Sequence, residues 1–222
     1  MRTHFNSRLL AATAAALAAA LSACGDGDDK SDTGFFVTSA NPGNGANLGG
    51  LSGADAHCNS LAEVAGLKGR TWRAYLSTVA AGSTAAVDAR DRIGSGPWRN
   101  ALGVEVASNV EHLHGTNNLS KQSAVTETGA LVNGRGDVPN LHDVLTGSTP
   151  AGRASASASD TTCGNWTSSG TGSAIVGHHD RTGLDSSAAA MSWNSSHAST
   201  GCSAASLRQT GGGGLFYCFA SD

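Results

Sequence analysis

The chain has 222 residues, of which 14 are lysine or arginine and 17 are aspartate or glutamate, so its formal net charge is −3. A protein that binds nucleic acid needs a basic stripe, and this acidic balance argues against such a partner. Thirty glycines and an aromatic content of 5% are typical of a domain with many turns and long loops around one modest core.

Residues 1–23 have the pattern of an export signal. Arg2 and Arg8 supply positive charge, and the apolar run 9–21 is too short to span a bilayer as a stable helix. The run ends in Leu-Ser-Ala-Cys, which matches the bacterial lipobox and implies a lipoprotein whose Cys24 carries fatty-acyl chains such as palmitate. Cleavage as an ordinary signal peptide is the alternative.

The lipobox implies a membrane-anchored protein of the bacterial cell envelope. Gly25 stands where an aspartate would retain a lipoprotein in the inner membrane, which favours the outer membrane or the cell surface; an orientation towards the periplasm is the alternative. Loss of the leader leaves 12 basic and 17 acidic residues, a formal charge of −5. Residues 24–34 are acidic and lack apolar partners, so they predict a flexible tether before one domain at 35–222.

Residues 51–77 give the clearest structural pattern. Apolar residues recur at helical spacing and place Cys58 on the buried face, Ser52 and Asp55 form a capping-box start, and Gly66 provides a left-handed stop. Alternation from Trp72 then predicts a half-buried strand. Further along, the patterns predict strands at 35–39, 141–145, 191–194 and 215–219, two short strands within 98–107, and a second helix at 85–93.

Four cysteines remain once Cys24 is assigned to lipid: Cys58, Cys163, Cys202 and Cys218. An even number in an exported chain favours two disulfides over free thiols. Four cysteines allow three pairings, and the sequence spacing does not choose among them. No CxxC pair is present, which argues against thiolate zinc sites and thioredoxin-type chemistry.

Several segments together resemble one known family. They are GADAHC at 53–58, AGLKGRTWRAYLS at 65–77, ARDRI at 89–93, LTGSTPAGR at 145–153, CGNWTS at 163–168 and FYCF at 216–219. The chain is similar to the endostatin-like (collagen NC10) branch of the C-type lectin-like fold, in particular to bacterial lipoproteins that carry this domain. The resemblance implies an α+β fold with two helices, a mixed and mainly antiparallel sheet, long loops and two nested disulfides, Cys58–Cys218 and Cys163–Cys202.

Calcium is the first ligand to weigh, because lectin-like folds often bind sugar through it. The segments Val138-Pro139-Asn140 and Trp193-Asn194-Ser195 occupy suggestive positions, but each lacks its charged ligand. Because Ca²⁺ prefers six to eight oxygen ligands, several of them charged, we expect no calcium site.

Zinc is the second. His112 and His114, and His178 and His179 next to Asp180, offer suitable donor atoms. The endostatin zinc site uses histidines near the start of the domain, and residues 24–36 contain none. We therefore expect no metal ligand and no cofactor, and we interpret these histidines as exposed loop residues.

Two surface motifs have structural alternatives. Arg70, Arg73, Arg90 and Arg92 form a candidate heparin-type patch, with a solvated face as the alternative. The tripeptide 135–137, Arg-Gly-Asp, matches an integrin-recognition motif, but matches this short occur often by chance.

The sequence predicts a binding module rather than an enzyme. It has no Gly-x-Ser-x-Gly elbow and no HExxH helix. We expect a monomer that recognises a protein or glycan through loops, and the alternatives are a structural or assembly lipoprotein, or a hydrolase that uses His178, His179 or Asp180. The candidate ligand surface comprises Trp166, His178, His179, Asp180, Trp193 and Asn194, with core packing as the alternative for both tryptophans.

Overall fold

A computed structural model describes Met1 and residues 32–222, and within them the chain has an α+β architecture. The helices are α1 (Gly50–Val64), α2 (Val110–His114), α3 (Cys163–Trp166) and α4 (Ala204–Thr210). The strands are β1 (Phe35–Val37), β2 (Trp72–Ala74), β3 (Trp98–Arg99), β4 (Glu105–Ala107), β5 (Asp143–Leu145), β6 (Ile175–His178), β7 (His197–Ala198) and β8 (Gly212–Ala220). The predicted export signal and the lipidation residue Cys24 lie outside the described residues. None of the described helices is both long enough and apolar enough to cross a membrane.

The central strand of the main sheet is β8. The strand order is β1-β8-β5-β6-β7, and β2 also pairs with β8. The β5–β8 pair is parallel, whereas the other pairs of this sheet are antiparallel. Strands β3 and β4 form a separate antiparallel pair, as predicted for residues 98–107. The sheet is therefore mixed and mainly antiparallel.

Helix α1 packs its small side chains against the sheet. Its buried face consists of Ala54, Asp55, Cys58 and Ala62, which allow close approach to β2, and Cys58 reaches β8 through its disulfide. Gly66 follows the helix with φ of 80°, as predicted. The predicted capping box is wrong, because the helix begins at Gly50 and Asp55 instead accepts hydrogen bonds from Ala74 N (2.9 Å) and the Arg92 guanidinium.

Both predicted disulfides are formed. Cys58–Cys218 joins α1 to β8, and Cys163–Cys202 closes the long segment between α3 and α4. One continuous core surrounds the outer bridge and contains the aromatic side chains of β1, β2 and β8. Residues 35–222 therefore share one core.

Three sequence predictions of local structure are wrong. Residues 85–93 form only a short 3-10 turn (Ala89–Asp91), because Val87 pairs with Thr78 in an isolated bridge that draws the chain out of a helix. Residues 191–194 are turns, with Met191 N donating to Ser187 O. Thr33, in the last part of the predicted tether, is buried and pairs with Arg99. The chain has four helices rather than two among its described residues.

A candidate metal centre at the edge of the main sheet

The pairing of three strands gathers histidine and aspartate side chains on one face of the sheet. Asp143 in β5 lies opposite His178 in β6, so the two side chains are neighbours. His197 in β7 lies opposite Val176, two residues before His178 and therefore on the same face. His142 precedes β5 and turns its ring against His178, with ring centroids 4.2 Å apart.

The Nε2 atoms of three imidazoles surround one carboxylate oxygen. Asp143 Oδ1 lies 3.2 Å from His142 Nε2, 3.3 Å from His178 Nε2 and 3.5 Å from His197 Nε2. The Nε2 atoms of His178 and His197 are 3.1 Å apart. We call these four residues, His142, Asp143, His178 and His197, the His–Asp cluster.

The carboxylate of Asp143 is buried without hydrogen bonds. Only 2% of the residue is exposed, and neither side-chain oxygen has a hydrogen-bond partner. The three imidazole contacts are therefore close approaches that lack hydrogen-bond geometry. Burial alone would raise the pKa of Asp143, but the neighbouring His178 and His197 outweigh it and lower the pKa to about 2, so the group is an anion at neutral pH.

The other nitrogen of each ring contacts a backbone carbonyl. The distances from Nδ1 to oxygen are 3.2 Å for His142 to Thr182, 2.7 Å for His178 to Ala190 and 3.2 Å for His197 to Ala198. A carbonyl oxygen only accepts hydrogen bonds, so these contacts place the proton of a neutral imidazole on Nδ1. For His142, Nε2 then keeps a lone pair on the side of Asp143, which is the tautomer that metal-binding histidines adopt. The 3.1 Å hydrogen bond between the Nε2 atoms of His178 and His197 needs a proton on one of them when no metal is bound.

Asp180 supports the cluster from behind His142. Its Oδ1 lies 3.6 Å from His142 Nδ1, and the carboxylate accepts hydrogen bonds from Arg135 N (2.6 Å) and Thr182 N (3.1 Å). Burial opposes ionisation, but these partners hold the pKa of Asp180 well below its usual range. Burial lowers the pKa of His142, and the two carboxylates outweigh this effect and raise it. Asp143 likewise raises the pKa of His197.

A cavity of about 540 Å³ opens over the cluster. Its lining includes the imidazoles of His142, His178 and His197, but not Asp143. The carboxylate therefore lies behind the three rings, away from solvent. The remaining lining residues are Arg135, Leu184, Asp185, Ala190, Ser196, Ala198, Gln209 and Thr210.

The donor set and its spacing fit a transition metal. Zinc binds imidazole nitrogen and carboxylate oxygen at about 2.0–2.2 Å, which places neighbouring ligand atoms of a tetrahedral ion about 3.3–3.6 Å apart. Four contacts, from Asp143 Oδ1 to the three Nε2 atoms and between the Nε2 atoms of His178 and His197, lie at 3.1–3.5 Å and agree with this spacing. One ligand atom each from His142, Asp143 and His178 lies within 4.8 Å of the other two.

The six members of the predicted ligand surface are buried. Their exposed fractions are 0% for Trp166, 3% for His178, 0% for His179, 9% for Asp180, 3% for Trp193 and 1% for Asn194. Trp166 Nε1 donates to Ser77 O (2.8 Å), and Asn194 Nδ2 donates to Tyr75 Oη (3.0 Å), so both belong to the core. The interpretation of His178 and His179 as exposed loop residues is wrong, because both are buried.

Two of the predicted site residues do belong near the centre. His178 is a member of the cluster and Asp180 supports His142, whereas His179 contacts Asn133 O instead (Nε2, 3.0 Å). His112 bonds to Ser108 and Thr116, and His114 bonds to Tyr75. These two histidines take no part in the cluster.

The predicted arginine patch is taken up by other contacts. Arg73 and Arg92 form ion pairs with Asp55, Arg70 pairs with Asp222, and Arg90 lies 3.7 Å from Glu111. A heparin-type patch needs free basic groups, so this arrangement argues against one.

The Arg-Gly-Asp tripeptide is only partly accessible for recognition. Its aspartate, Asp137, forms an ion pair with Lys121 and accepts a hydrogen bond from Gly134 N (2.8 Å). The acid of the tripeptide is thus held by its own loop, which argues against recognition through it.

Sequence reasoning missed His142, Asp143 and His197. One signal was present: residues 141–145 read Leu-His-Asp-Val-Leu, a predicted buried strand with two titratable residues in its middle. A buried charge needs a partner, so this strand called for a search for one. The partners lie 35 and more residues away in sequence, on strands joined to β5 only by sheet pairing.

The described residues form an α+β domain with two disulfides. Its His–Asp cluster offers imidazole nitrogen and carboxylate oxygen donors beneath a cavity. Comparison of the sequence with models of protein families gives no match. Comparison with curated proteins gives none either. The function is therefore argued from the geometry of the cluster.

Proposed function

We propose that this chain is a metal-binding module of the bacterial cell envelope, in which His142, Asp143, His178 and His197 hold one zinc-type ion. The observation that carries the proposal is the buried Asp143 carboxylate, which has no hydrogen bond and faces three Nε2 atoms. A buried polar group without a partner costs about 1–3 kcal/mol, and a charged one costs more. The three imidazoles approach the carboxylate as ion-pair partners without hydrogen-bond geometry, and a cation among these four side chains would give it a direct partner.

The donor types favour zinc and its chemical neighbours over calcium. Three imidazoles and one carboxylate are the ligands of borderline transition metals, whereas Ca²⁺ takes six to eight oxygens. The Nδ1 contacts to backbone carbonyls and to Asp180 are the outer partners that hold metal-binding imidazoles in place.

The proposed role is binding rather than catalysis. Four side chains would hold the ion, and zinc can still add a fifth ligand on the side of the cavity. The same proposal includes the lectin-like fold, which the nested disulfides support, and a lipid anchor at Cys24, which the lipobox supports. The module would then present its long loops, and this metal centre, to a protein or glycan at the membrane surface.

Metal titration of the purified full chain tests the proposal. We expect one Zn²⁺ per chain by elemental analysis, and competition with a chelator gives the affinity. Asp143→Asn and His178→Gln should each weaken binding by at least about 100-fold, and Asp180→Asn by about tenfold, because it removes only an outer partner. His57→Gln is the matched control, since His57 bonds to Ala40 O away from the cluster. No bound metal, or equal affinity in all variants, would refute the proposal.

The anchor requires a separate test. Cells that express the chain should incorporate labelled palmitate into it, and Cys24→Ser should abolish the label and release the protein from membranes. Labelling that persists in the variant would contradict the assignment of Cys24.

A further inference from the structure

We infer that the cavity over the His–Asp cluster binds a carboxylate that carries an apolar group, with the carboxylate as an added ligand of the metal. This inference rests on the proposed function. It goes further because it names the class of small molecule that the centre takes.

The first step is the direction of approach. The three imidazoles line the cavity, and Asp143 lies behind them. A metal among the four side chains has Asp143 on its buried side, so an added ligand enters opposite the carboxylate, through the face that the rings form. Zinc can expand from four to five ligands in this way. The cavity of about 540 Å³ is within the range of small-molecule sites.

The second step is the polarity of the wall. Arg135 lines the cavity, is exposed, and its guanidinium has no hydrogen-bond or ion-pair partner among residues 32–222. Gln209 uses its Oε1 to accept from Thr200 Oγ1, which leaves its amide N–H groups available. Arg135 and Gln209 line the same cavity as the three imidazoles, so a ligand with acceptor oxygens suits this space. A carboxylate satisfies a guanidinium and a metal together.

The third step is charge and apolar area. A divalent metal and the Asp143 carboxylate together leave one positive charge at the floor of the cavity. On its wall the positive charge of Arg135 is balanced by the negative charge of Asp185, whose carboxylate accepts a hydrogen bond from Ser187 N. A monoanion balances this site better than a phosphate dianion. Leu184 is 88% exposed and lines the cavity with two alanines, which provides a surface for an apolar group.

The experiment uses the Co²⁺-loaded full chain. Cobalt takes zinc ligands, and its visible absorption weakens when a fifth ligand binds. The probes are N-acetyl-leucine, which resembles a peptide C-terminus, and hexanoate, which resembles a free acid. Their amides, N-acetyl-leucinamide and hexanamide, are the neutral controls, and acetate is the control that lacks the apolar group.

We expect saturable spectral changes with one or both acids, weaker binding of acetate, and no change with the amides. Arg135→Gln should weaken binding of the acids about tenfold while Co²⁺ loading stays unchanged, because it removes a charged hydrogen bond outside the ligand set. Whichever acid binds more tightly identifies the source. Normal loading with no response to either acid overturns this inference alone, as does equal affinity in Arg135→Gln. Failure to load Co²⁺ overturns the proposed function.

Discussion

At about pH 9, where the imidazoles no longer carry the charge that pairs with Asp143, replacing this residue by asparagine should stabilise the metal-free protein and destabilise the zinc-loaded protein relative to wild type. Asparagine has nearly the same shape but no charge, and its amide can donate to an imidazole Nε2 lone pair. In the metal-free protein, the substitution removes a buried anion whose oxygens have no hydrogen bond. The expected gain is about 1–3 kcal/mol in unfolding free energy.

With zinc present the order should reverse. A ligand at 100 times its Kd adds about 2.7 kcal/mol to the stability of the protein that binds it. The variant lacks this contribution because its donor set is incomplete. Urea unfolding at about pH 9, where imidazoles are neutral, should therefore give the variant a higher unfolding free energy than wild type in EDTA and a lower one in excess zinc.

Asp55→Asn is the matched control, because Asp55 is also a buried aspartate but is fully bonded. It accepts from Ala74 N, from the Arg92 guanidinium through both carboxylate oxygens and from Arg73 Nη1. The side chain of Arg92 is only 11% exposed, so removing its counter-charge should cost about 3–5 kcal/mol with or without zinc. If Asp143→Asn also destabilises the metal-free protein, the carboxylate serves to pair with the histidines, and the metal reasoning is refuted.

Three further changes have expected outcomes. Replacing Cys163 and Cys202 by alanine removes a bridge with a sequence separation of 39. The chain-entropy relation then predicts that the unfolding free energy in urea falls by about 4 kcal/mol, and a fall of less than about 1 kcal/mol would contradict it. Burial lowers the pKa of His114 from 6.5, so protonation favours the unfolded chain and stability falls as the pH drops below that value. His114→Gln should flatten the decline, and an unchanged slope would count against this cause. Gly177→Ala places a Cβ 1.8 Å from Trp193 O, so the unfolding free energy should fall by about 3 kcal/mol. An unchanged unfolding free energy would show that the backbone at Trp193 moves aside without cost.

Local patterns predicted the elements whose periodicity is visible in the sequence. The periodicity around Cys58 predicted α1, alternation after Trp72 predicted β2, and the run at 215–219 predicted the second half of β8. The family resemblance then supplied the pairing of the cysteines, which spacing had left open.

The His–Asp cluster could not be predicted in the same way. Its members come from β5, β6 and β7, and sheet register rather than sequence spacing makes them neighbours. The same cause explains the failure at residues 85–93, where the bridge between Val87 and Thr78 overrides a helical pattern. Trp166 and Trp193 were hard to place because a tryptophan in a loop-rich segment suits a ligand surface and a core equally well.

The inner disulfide also has a consequence for where the protein would acquire the proposed metal. His178 and His197 lie between Cys163 and Cys202, whereas His142 and Asp143 lie before the bridge. Disulfides rarely persist in a reducing cytosol, so a chain there lacks the bridge that closes the segment carrying half of the donors. Under the proposed function, oxidation of this pair would precede metal loading, and a newly made chain would not draw on the cytosolic zinc supply before export.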